Sequence, residues 1–88
     1  MSDVVLRTKI MHELYELRAA SADGIGAIEA ASLGRRVGAP AARTAIICRD
    51  LVRHRHVDAD GNMMGFVRIS DIGVVYYEEI TAMNRCTN

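Results

Sequence analysis

No apolar run in this chain approaches the roughly 18 to 20 residues of a membrane helix, so no membrane span is expected. The opening residues MSDVVLRTK lack the pattern of a secretory signal, and a soluble cytoplasmic chain is the expectation. Cysteine is scarce. Cys48 and Cys86 form neither a Cys-x-x-Cys pair nor a disulfide framework, which points to reduced thiols. A glycine-rich phosphate loop, a nucleophile beside a base and paired catalytic carboxylates are all missing, so the pattern does not point to an enzyme. The segment HELYE (His12–Glu16) resembles a zinc-protease helix, but Glu16 stands where the second histidine is required. His54 and His56, with Cys48 earlier, match no established ligand spacing. Neither metal nor cofactor is expected.

An excess of one charge is also missing, since 11 Lys and Arg balance 11 Asp and Glu. The balance is not uniform along the chain. Between Arg35 and His56 stand Arg35, Arg36, Arg43, Arg49, Arg53 and Arg55 against the single acid Asp50. Local basic patches, rather than total charge, are the footprint of phosphate binding, and solvated surface arginines are the plain alternative.

What is present is enough for one compact domain. The 88 residues, half of them apolar, can bury a core, expected to span about residues 4–83. Ser2 or Asp3 can cap a first helix whose Leu6, Ile10, Leu14 and Leu17 recur at helical spacing up to about Ala20. SADGIG then breaks the chain, and Ile28 suits a minimal strand. EAASLGRRVG reads as a short helix with Leu33 and Val37 inward and Gly38 ending it.

Pro40, the single proline, suits the first turn of a third helix reaching about His54. Along it Thr44, Ile47, Cys48 and Leu51 share one side, while Ala42, Ile46, Arg49 and Arg53 share the other. Beyond His56 the period changes to alternation. Val57, the turn residues DADGN, then Val67 and Ile69 alternating with Phe66 and Arg68 predict a β-hairpin. Ser70-Asp71 caps a last helix in which Ile72, Tyr76, Ile80 and Met83 form the expected core stripe, with NRCTN a frayed tail.

The order of these elements resembles a winged helix-turn-helix domain, an α+β fold that is mostly helical. IEAASLGRRVGAPAARTAIICRDLVRHRHV is similar to that family's second helix, turn and recognition helix, with Leu33, Val37, Gly38, Leu51 and Val57 at its usual apolar or glycine places. VRISDIG is similar to the strand-into-helix junction that closes the wing in bacterial regulators of the MarR and PadR types. Arg55 departs from the pattern by standing where a glycine commonly ends the recognition helix. Alanines also occupy places where polar base readers are frequent.

The resemblance implies sequence-specific binding of double-stranded DNA by a transcriptional regulator, with helix 40–54 in the major groove and hairpin 57–69 as the wing. Arg49 and Arg53, flanked by Arg43, would meet guanine edges or phosphates, Ile46 a thymine methyl, and Ala42 would permit close approach. Arg35, Arg36, Arg55 and His56 would hold phosphates, while Asn62 and Arg68 would reach DNA from the wing. His56 would strengthen its contact on protonation near pH 6.5.

The terminal helices carry further apolar residues, Val4, Met11 and Tyr15 on the first and Val74, Tyr77 and Thr81 on the last. These are the expected homodimer interface. The rival reading is a winged-helix module that meets another protein through its alanine-rich third helix without binding DNA.

Overall fold

The computed structural model describes residues 2–59 and 65–86, the last three of these by backbone only. The described residues form an α+β fold, mostly helical, with elements in the order α1 (Asp3–Ala20), β1 (Ile28–Glu29), α2 (Ala30–Val37), α3 (Ala41–Arg53), β2 (Val57–Ala59), β3 (Phe66–Ile69) and α4 (Asp71–Cys86). None of these helices is long and apolar enough to cross a membrane.

Helix α1 begins where the sequence expects it to. The Ser2 hydroxyl oxygen accepts from the Val5 N–H at 3.3 Å, and Asp3 places a negative charge on the positive end of the helix. Leu6, Ile10 and Leu14 point into the core and are fully buried. After α1, Asp23 turns the chain by accepting from the Ile25 N–H at 2.9 Å. That bond and the Ser21 hydroxyl hold the Asp23 carboxyl below its usual pKa, the Ser21 contribution being larger.

The strands form one small antiparallel sheet in the order β1-β3-β2. Ile28 pairs with Val67, and Val57 with Ile69. Alternation sends Val67 and Ile69 to the core while Phe66 and Arg68 stay partly in solvent. The expected hairpin is present from Val57 to Ile69, although its turn residues 60–64, including Asn62, lie outside the described residues.

Helix α2 ends at Gly38, whose φ of 76° is the left-handed conformation that glycine adopts without a steric penalty. The Ala39 N–H then bonds to the Gly34 carbonyl at 2.9 Å and turns the chain into α3. Pro40 lies at the helix entrance and needs no N–H there. Its carbonyl accepts from both the backbone N–H and the hydroxyl of Thr44, each at 3.0 Å, so the buried threonine is satisfied. Thr44, Ile47, Cys48 and Leu51 are the buried side of α3, as their spacing predicts.

Helix α4 differs from its expectation in length and in rotation. It continues to Cys86, through residues expected to fray. The expected core stripe is also reversed. Ile72, Tyr76 and Met83 are exposed and Ile80 is only partly buried, whereas Val74 and Tyr77 pack on the core and Thr81 is half-buried. The physical reason is Gly73. A Cβ at that position would lie 2.0 Å from the His56 carbonyl oxygen, so α4 must press this side against the start of β2. Tyr77 and Thr81 follow Gly73 at four-residue steps and therefore share its inward direction.

That rotation also revises the expected dimer residues. Met11 is 3% exposed and belongs to the core. Tyr15 lies against Tyr77 within the same chain, with ring centroids 4.7 Å apart. The Tyr77 hydroxyl meets His12 Nδ1 at 2.6 Å, and the Thr81 hydroxyl is spent on the Tyr77 carbonyl at 2.9 Å. Of the six residues, only Val4 is left largely in solvent. Apolar residues around most of α4 leave its inward side ambiguous in sequence, and the close approach of Gly73 to His56 resolves it.

Candidate nucleic-acid interface

The buried side of α3 fixes the direction of its other side. With Ile47, Cys48 and Leu51 held in the core, Ala42, Ile46, Arg49 and Arg53 are all exposed. Ile46 is 62% exposed despite its size. Arg49 and Arg53 are one turn apart, so their Cβ atoms are separated by about 5–6 Å. Both line a cleft of about 330 Å³ with Ile46 and Asp50, closed on its other side by Asp3 and Arg7 of α1.

The arginines fall into two groups. Arg36 bonds Glu13 at 3.0 Å, Arg18 bonds Asp71 at 2.7 Å, and Arg43 and Arg7 pair with Asp3 and Asp50. Arg49 and Arg53 are exposed and form no ion pair among the described residues. Arg35 remains exposed, and among the described residues its guanidinium donates to the Ser32 hydroxyl at 3.1 Å. Arg36, expected at a phosphate, and Arg43, expected beside the base-reading stripe, thus have intrachain partners. Surface pairs of this kind are worth about 0–1 kcal/mol, small enough for a phosphate to displace the acid.

The exit of α3 has an unusual closure. The His56 N–H bonds to the Leu51 carbonyl and the Arg55 N–H to the Val52 carbonyl, both at 3.0 Å. This is the double bond pattern that ends many helices, and it requires a left-handed residue at Arg55. Arg55 has φ of 63° and is the single non-glycine with positive φ among the described residues. A side chain there costs roughly 1–2 kcal/mol relative to a relaxed conformation. The departure noted in sequence, an arginine where glycine is usual, is therefore a strained and exposed cation at the end of α3.

His56 does not stand free beside it. Its ring stacks on Tyr76 with centroids 4.0 Å apart and planes 12° apart, and it lies 6.1 Å from the His54 ring. Burial, then the neighbouring His54 and Arg7 charges, lower its pKa from the ordinary 6.5. The expected gain of charge near pH 6.5 is corrected accordingly, since protonation is displaced to lower pH.

Arg68 is also separated from the α3 cleft. It stands opposite Asp58 in the β2–β3 ladder and lines another cleft with Arg18, Ile25 and Asp71. Cys48 is buried at 3% exposure, and desolvation raises its thiol pKa to about 11. It packs as a small apolar group. Among the described residues no three His, Cys, Asp or Glu side chains come together as a metal site.

The feature sequence reading missed is the participation of α1. Arg7 and Asp3 reach α3 across 43 and 40 positions, a separation that no local pattern reports. No protein-family model, curated protein or solved structure matches this chain. Function has to be argued from the site itself.

Proposed function

We propose that this protein is a winged helix-turn-helix regulator that binds double-stranded DNA as a homodimer, with α3 in the major groove. The observation that carries this reading is the exposed Ile46–Arg49–Arg53 side of α3, whose two arginines form no ion pair among the described residues. A guanidinium can donate two parallel hydrogen bonds to guanine O6 and N7 or to a phosphate. An exposed isoleucine between such groups suits a thymine methyl. The small exposed side chains of Ala41 and Ala42 allow the helix to approach base edges.

The surrounding cations have supporting roles in this reading. Arg35 and Arg55, both exposed, hold phosphates and set the orientation of α3. The β2–β3 hairpin follows α3 directly and serves as the wing. Arg68 belongs to the strand base rather than to the α3 cleft, so its contribution is to the wing's support.

Fluorescence anisotropy with genomic and random duplexes tests the reading. Binding that weakens in Arg49→Ala and Arg53→Ala, and discriminates between duplexes, supports it. A chain that binds no duplex at low salt refutes it. In that case the alanine-rich exposed side of α3 becomes a surface for another protein, the rival that partner capture by the DNA-inactive chain would favour.

A further inference from the structure

A second surface lies between α1 and α4. A groove of about 470 Å³ is walled by Val4 and Met11 on one side and by Tyr76, Tyr77 and Ile80 on the other. Beside it, Ile72 and Val75 are each 56% exposed and continue the outward stripe of Tyr76 along α4. This stripe is the reverse of the side that Gly73 holds against β2. We propose that ridge and groove together form a two-fold interface, the ridge of one copy seating in the groove of the other.

Three properties select a second copy as the occupant. The first is shape, because an isologous contact requires a patch that complements itself, and this patch carries both a ridge and a groove. The second is area. The exposed parts of Val4, Ile72, Val75 and Tyr76 leave on the order of 400 Å² of side chain in water, about half of the roughly 800 Å² each partner buries in a standard interface. Ile80 and the groove walls extend it.

The third property is charge. Glu79 lies within the outward stripe and makes no ion pair among the described residues, while Arg7, paired with Asp50 of its own chain, lines the groove beside Asp3. A second copy offers Glu79 this guanidinium, whose remaining N–H groups can serve a second carboxylate beside Asp50. A membrane surface would favour cations beside the apolar stripe, where this helix has Glu78 and Glu79. A small molecule filling the groove would leave the Ile72–Val75 ridge uncovered.

The interface rests on the homodimer of the preceding reading; it keeps Val4, Met11 and Tyr77 of the surface expected in sequence and replaces Tyr15, Val74 and Thr81 with Ile72, Val75, Tyr76 and Ile80. It also reaches the α3 exit, because the Tyr76 ring on the interface stacks on His56. Two copies joined this way hold their α3 helices in a fixed relation.

Sedimentation equilibrium at micromolar concentration, without DNA, is the test. The native chain is expected at about twice its 9.7 kDa mass, and the Ile72→Glu/Val75→Glu double variant at the single-chain mass with an unchanged circular dichroism spectrum. A native chain of single mass, or a double variant that keeps the doubled mass, overturns the proposal. Should the double variant lose helical signal, Glu79→Arg is decisive: it is expected to weaken self-association about tenfold, and an unchanged dimer overturns the interface. Because these masses are read without DNA, a chain that dimerises as described but binds no duplex refutes the DNA reading alone.

Discussion

The Ser70 hydroxyl donates to the Arg55 carbonyl at 2.5 Å while its oxygen accepts from the Gly73 N–H at 2.9 Å. One buried side chain therefore caps α4 and anchors the residue that ends α3. The Ser70 N–H bonds to the His56 carbonyl at 3.1 Å, beside the position where Gly73 passes. The start of the last helix and the exit of the third are built as one junction.

Ser70→Ala removes both hydroxyl bonds and is expected to cost about 1–2 kcal/mol, read from a urea midpoint. Gly73→Ala meets the His56 carbonyl directly and is expected to cost about 2–4 kcal/mol, because neither backbone can give way without moving α4. Equal midpoints for Gly73→Ala and the native chain would contradict the close approach.

Arg55→Gly separates stability from binding. Relief of the left-handed strain is expected to stabilise the chain by about 1 kcal/mol. If Arg55 holds a phosphate, the same substitution weakens duplex binding and makes the salt slope shallower by about 1. Chemical unfolding and anisotropy on the same preparation read the two effects. A less stable Arg55→Gly chain would remove the strain argument.

Arg49→Ala and Arg53→Ala are expected to lose about 1–3 kcal/mol of affinity each if they read base edges, with relaxed sequence preference, and to fold normally because both side chains are exposed. With about four phosphates neutralised per chain, the logarithm of affinity should fall with the logarithm of salt concentration with a slope near −3.6. A slope near zero would mean that binding does not use these cations.

His56 makes stability depend on pH in a definite direction. Its folded pKa lies below the ordinary 6.5, so between those values the unfolded chain binds more protons. The contribution to stability is complete above pH 6.5 and declines as pH falls through that value toward the folded pKa. Urea midpoints at pH 7 and 5.5 should therefore differ more for the native chain than for His56→Gln. An equal difference in both would assign the pH dependence to other groups.

Much of the path to the site is legible in sequence because its signals are local. The buried side of α3 follows from Thr44, Ile47, Cys48 and Leu51 at helical spacing, and this alone sends Arg49 and Arg53 outward. The Ser2 and Ser70 caps, the Gly38 stop and the alternation of Val67 and Ile69 likewise need only neighbouring residues. Arg55 could be singled out by its place after the helix, although its left-handed conformation is a property of the completed closure.

Tertiary structure decided what local spacing leaves degenerate. Helix α4 has apolar residues on several sides, and only the contact of Gly73 with His56 selects Val74 and Tyr77 as inward while leaving Ile72 and Tyr76 outside. The allocation of arginines is likewise settled across the fold, since Arg7 reaches Asp50 and Arg43 reaches Asp3 between elements far apart in the chain. Periodicity fixes directions within one helix. Which helix presses against which, and which charges meet, depends on contacts that exist only once the chain has closed.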